Sequence, residues 1–126
     1  MGNRACVLFF DPERVSPTVY LHWHGDAVPA WLEELRHLMS GRTRDASYAT
    51  ARFVGICHSR IAGNLNLGIT SNGLSPSDLR DRGLLAGLSP GNAGIVVVDT
   101  ADFRWAAYGG YLANHRNQPT RKEQDQ

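Results

Sequence analysis

The chain has 126 residues, 42% hydrophobic and 20% charged, ordinary values for a globular protein with one core. Its formal net charge of +1 argues against a nucleic-acid binder held by clustered Lys and Arg, and equally against an acidic mimic of DNA. No apolar run approaches the ~20 residues of a membrane helix and no signal peptide is visible after Arg4, so a cytoplasmic protein with no membrane partner is expected.

The run "ACVLFFD" at 5–11 reads as a buried strand, ended by the turn residues of "DPERVSP". "TVYLHWH" at 18–24 alternates like a second strand, antiparallel to the first because the connection is short. Gly25 closes it, and Asp26 is placed to cap a helix whose start Pro29 delays. Val28, Trp31, Leu32, Leu35, Leu38 and Met39 recur at helical spacing, and Gly41 ends that helix. A second helix is predicted from Asp45 to Ile61, with an apolar face of Tyr48, Ala49, Phe53, Ile56, Cys57 and Ile61 and a stop at Gly63. Gly55 inside it suggests close approach to a neighbouring element.

"NLNLGIT" at 64–70 predicts a strand with Leu65, Leu67 and Ile69 buried and Asn64, Asn66 and Thr70 wet. Residues 71–92 are rich in Gly, Ser and Pro. Within them "SPSDLRDRGLL" suits a short helix capped by Ser75 with Pro76 at its first position. "GIVVVD" is a central strand by its unbroken β-branched run, and "FRWAAYGGY" returns as its hairpin partner, bent at Gly109-Gly110. The fold expected is α+β, in the order β-β-α-α-β-(α)-β-β: a mostly antiparallel sheet of about five strands with two helices packed on one face. One domain spans 1–113, and the polar stretch 114–126 is expected to be a disordered tail.

The sheet face away from the helices is then expected to be open. Face assignment puts Tyr20, His22 and His24 there, with Val19, Leu21 and Trp23 toward the helices. Asn64, Asn66, Arg104 and Tyr108 join the open face, giving the rings and arginine typical of binding surfaces. The charged run "DLRDR", with Asp78, Arg80 and Arg82, is a second candidate contact on a long loop. Apart from Lys122 the cationic residues are all arginine, which suits planar, bidentate partners.

Histidines two apart on a strand leave the same face and can share a metal, but a third ligand is needed, and His58, Asp26 and His37 are placed elsewhere. Cys6 and Cys57 read as buried free thiols, and His58, about 100° around the helix from Cys57, is poorly placed to activate it. Neither a nucleophile elbow nor a phosphate-binding glycine loop occurs, so neither catalytic residues nor a cofactor are expected.

"TVYLHWHG", the helix "YATARFVGI", the strand "NLNLGI" and the final "GNAGIVVVD" together resemble a family of small, largely uncharacterised proteins encoded by phages and plasmids. The resemblance covers roughly residues 5 to 100, with Tyr48, Ala51 and Arg52 matching a Tyr-x-x-Ala-Arg pattern. It implies an inhibitor from a mobile genetic element that binds protein subunits of a bacterial defence complex, such as a CRISPR effector, and so an anti-CRISPR protein. The alternatives are a small metal-dependent or acid–base enzyme using His22 and His24, and a single-stranded nucleic-acid binder that stacks bases on Tyr20 and Tyr108 beside Arg104. Direct nucleic-acid binding ranks last because the net charge gives it little help. A homodimer is compatible with an unpaired edge on the last strand.

Overall fold

A computed structural model of the chain describes residues 2–61 and 66–114. The two most apolar runs become neighbours at the centre of the sheet. Strand β1 (Ala5–Phe10) lies parallel to β4 (Gly94–Asp99), with Cys6 opposite Ile95 and Phe10 opposite Asp99. On one side of them β2 (Thr18–Leu21) pairs antiparallel with β1, and β3 (Leu67–Thr70) with β2. On the other side β5 (Arg104–Tyr108) forms the hairpin with β4. The order β3-β2-β1-β4-β5 gives a five-stranded sheet with one parallel pair, as the mostly antiparallel α+β expectation requires.

Helices α1 (Val28–Leu38) and α2 (Ala46–Arg60) cover one face. Val28, Trp31, Leu32 and Leu35 of α1 and Ala49, Phe53, Ile56 and Cys57 of α2 meet Val7, Phe9, Val19, Leu21, Val96 and Val98 of the sheet. Such side chains each contribute about 1.5–3 kcal/mol when fully buried. Asp45 caps α2, accepting the Tyr48 N–H at 3.0 Å. Asp26 makes no cap. It lies in a single 3₁₀ turn, Gly25–Ala27, that leads into α1.

Three face assignments and one packing expectation in these elements need correction. Leu38 is 59% exposed because it is the last residue of α1, and Tyr48, at 53%, lies under the Arg42 guanidinium, 4.0 Å from its ring centre. Among the described residues Gly55 has no neighbour where a side chain would begin, so close packing by them does not explain it. Ile69 is 53% exposed, since β3 is the sheet edge and lies beyond the helix layer. Gly63, Asn64 and Leu65 lie outside the described residues, as does the predicted tail beyond Asn114.

The second face of the sheet is partly covered, contrary to the expectation of an open surface. The segment 71–92 folds back over it as a 3₁₀ turn (Pro76–Arg80) and a short helix, α3 (Arg82–Leu88). Leu85 is fully buried against Cys6, Leu8, Ile95 and Val97, with Leu74 and Leu79 beside it. Ser75 and Pro76 start the turn as expected, and the Ser75 N–H donates to Asp78 at 2.8 Å. Asp81 then breaks the run and caps α3, accepting the Leu84 N–H at 3.0 Å. At the far end Gly94, at φ +107°, lets the Gly109-Gly110 bend press onto β4; a side chain there would begin 2.5 Å from the Tyr108 carbonyl.

Candidate functional site

The part of the second face that 71–92 leaves uncovered is a groove of about 960 Å³. Alternation along the strands sets its floor: Phe10, Val97 and Ala106 point to this side, while Phe9, Val98 and Trp105 point into the helix core. Pro76, Leu79, Arg80 and Arg82 form one wall, and Arg104 and Tyr108 rise from β5. Arg80, Arg82, Arg104 and Tyr108 were expected at two separate contacts, a loop and a sheet face. The fold brings them to one groove.

Its guanidinium groups are not all paired with carboxylates. Asp11 and Asp99 also line it, but both carboxylates are turned toward backbone donors. Asp11 accepts from Glu13, Arg14 and Ala46 N–H groups, and Asp99 from the Ala101 N–H at 2.9 Å. Burial pushes the Asp11 carboxyl up, yet those three N–H donors and the Arg14 charge outweigh it and hold its pKa below the usual carboxylate value. Arg104 has Asp102 at 3.5 Å. Arg80 and Arg82 have neither an ion pair nor a side-chain hydrogen bond among the described residues, and both are exposed. An apolar floor under two uncommitted guanidinium groups and a third at its rim can hold a carboxylate or phosphate by bidentate hydrogen bonds.

The two histidines part company. Strand β2 ends at Leu21, because the chain turns around Asn3: the Asn3 N–H donates to the His22 carbonyl and the Gly25 N–H to the Asn3 carbonyl. Gly25 sits so close to Ala93 that a side chain would begin 2.6 Å from the Ala93 methyl. Past this turn the strand alternation no longer holds. His22 stays near Tyr20 and lies 4.6 Å from the ring of Trp23, which is 44% exposed instead of facing the helices. His24 swings to the helix side and stacks on Trp31 at 5.8 Å, its Nδ1 buried without a hydrogen-bond partner. Two imidazoles leaving one strand face, the premise of a shared metal or acid–base pair, are therefore not what this geometry presents. Among the described residues no set of three His, Cys, Asp or Glu side chains converges as metal ligands.

Other candidates fall apart as a group. Tyr20 is separated from Tyr108 by β1 and β4, roughly 14 Å at ordinary strand spacing, and both rings pack partly into the second hydrophobic cluster. They do not make one stacking platform. Asp78 is spent on the turn at Ser75. Asn66 lies beside β2, with its carbonyl accepting the His22 N–H at 3.1 Å. Burial pushes the Cys6 thiol to about 11 and the Cys57 thiol to about 12, which removes thiolate character near neutral pH. Phe10, Val97 and Leu79 were missed as groove residues. The unbroken apolar runs of β1 and β4 carried the signal, since such strands are buried on both faces. Compared with protein-family models, curated proteins and solved structures, the chain matches none.

Proposed function

We propose that the chain is a non-enzymatic binding protein that offers the β4–β5 groove to an acidic segment of a protein partner. The convergence of Arg80, Arg82 and Arg104 over an apolar floor is the observation that carries this reading. Aromatic and arginine side chains around a desolvated centre are what binding hot spots are made of. A protein partner is favoured over nucleic acid because the formal charge is only +1 and Tyr108 is packed down instead of standing free for stacking.

The sequence resemblance supplies the finer proposal: an inhibitor from a mobile genetic element, acting in a bacterial cytoplasm on a defence complex such as a CRISPR effector. The test is a tagged pull-down from lysates expressing a panel of such complexes, read by mass spectrometry. The wild-type chain is expected to retain one protein partner in near-equal amount, and the triple variant Arg80→Ala/Arg82→Ala/Arg104→Ala to lose it while staying folded. Retention by the variant would remove the groove from the contact. An empty pull-down across the panel would count against the defence-complex reading.

A further inference from the structure

We infer that the free edge of β3 is a self-pairing edge that joins two copies of this chain about a two-fold axis at Gly68. The inference is independent of the groove, which lies at the opposite end of the sheet. The backbone register carries it. The His22 N–H donates to the Asn66 carbonyl, Tyr20 lies opposite Gly68, and Thr18 lies opposite Thr70. Antiparallel pairs alternate between hydrogen-bonded and non-bonded positions, so Asn66, Gly68 and Thr70 turn their backbone groups inward to β2. Leu67 and Ile69 turn theirs outward, and among the described residues no strand lies beyond β3.

Proteins normally protect such an edge with a charge, a proline or a bulge. Residues 66–72, "NLGITSN", contain neither a charge nor a proline, and Ile69 stands 53% exposed. Gly68 adds a second observation. Its backbone is not in the left-handed region, and among the described residues a side chain there would meet nothing within 4 Å. No described residue thus crowds that position, and glycine within a strand often marks the close approach of another backbone.

A second copy fits this edge in one register. With Gly68 facing Gly68, Leu67 of each copy exchanges hydrogen bonds with Ile69 of the other. The glycines fall at the non-bonded position, where Cα atoms come within about 4.5 Å. Ile69 and Leu67 share a side of the sheet, because both lie opposite residues buried under the helices, Val19 and Leu21. Each exposed Ile69 is therefore covered by Leu67 of the second copy. A two-fold axis at Gly68 brings the same edge segment of both copies together, and residues 66–72 carry no charge to repel.

Sedimentation velocity on the full chain, from about 5 to about 500 µM, tests this, a range suited to an interface smaller than the standard ~1,600 Å². The wild type is expected to pass from monomer to dimer. Ile69→Pro removes an outward N–H that no described residue accepts, so the variant is expected to keep its circular dichroism and melting temperature while staying monomeric. Ile69→Lys is a second variant with the same expectation, and it decides the matter if the proline variant does not fold. A wild type that stays monomeric throughout overturns the inference, as does a dimer that the folded variants form equally well.

Discussion

Asp11 joins three parts of the chain through one buried carboxylate. Its Oδ1 closes the turn after β1 by accepting from Glu13 and Arg14, and its Oδ2 accepts the buried Ala46 N–H at the start of α2, at 2.9 Å. The first bond is the ordinary use of Asp before Pro in a turn and is legible in "DPER". The second is not, because nothing local ties residue 11 to residue 46. Replacing Asp11 by Ala leaves the Ala46 donor buried and unpaired, and the expected cost is about 2–3 kcal/mol in urea unfolding at neutral pH. The sign of the pH dependence follows from the carboxyl's lowered pKa. A group whose folded pKa lies below its unfolded value, about 3.9, stabilises the fold above that value and loses the contribution as pH falls through the folded one. The gap between wild type and Asp11→Ala is therefore expected to be constant from pH 7 to about 5 and to narrow below about 4. A gap unchanged at pH 3 would show that the ionised form contributes nothing.

At the scale of elements, sequence patterns worked where burial is one-sided and continuous. The alternation in β5 places Trp105 and Ala107 on the core side, and both are buried there. The helical spacing of Trp31, Leu32 and Leu35 did the same for α1. The errors arise where an element ends or meets an edge: Trp23 beyond the turn around Asn3, Leu38 at the last residue of α1, Ile69 on the edge strand. The largest misreading was the open second face, although "GIVVVD" has no wet side and so requires cover on both. That cover is 71–92, whose anchor is Leu85. Leu85→Ala is expected to cost about 2–4 kcal/mol, within the range for emptying a fully buried leucine site. It is also expected to speed proteolysis within 71–92 specifically, because the segment holds the sheet mainly through Leu74, Leu79 and Leu85. A uniform loss of stability without local cleavage would mean that the segment unfolds only with the whole chain. The groove was half legible for the same reason. Arg104 and Tyr108 follow from strand alternation and Arg80 and Arg82 from a charged loop, whereas their meeting depends on how 71–92 folds back.

For the whole molecule, the two cysteines report on opposite sides of the sheet. Cys57 is fully buried in the helix layer, and Cys6 is 8% exposed beneath the 71–92 cover. Burial pushes their thiols up to about 12 and about 11, so at neutral pH neither is a nucleophile until its surroundings open. A thiol reagent such as DTNB then measures opening on each side separately. The helix side is held by two helices of 11 and 15 residues, while the other side has a 3₁₀ turn and a helix of only 7. Fewer apolar contacts mean a lower free energy of local opening. Cys6 is therefore expected to react first and Cys57 only on the timescale of global unfolding, as peptide mapping of partly labelled protein would read. Leu85→Ala is expected to speed labelling of Cys6 by about tenfold or more, since about 1.4 kcal/mol corresponds to that factor, while Cys57 gains only what the loss of global stability gives it and still reacts after Cys6. Equal rates at both thiols, in wild type and variant alike, would mean that the two faces open as one unit. In that case the wall carrying Arg80 and Arg82 would be as fixed as the sheet, and the groove would meet its partner preformed. If Cys6 leads, the same wall lifts on its own, and a partner seated in the groove is expected to slow Cys6 labelling without changing that of Cys57.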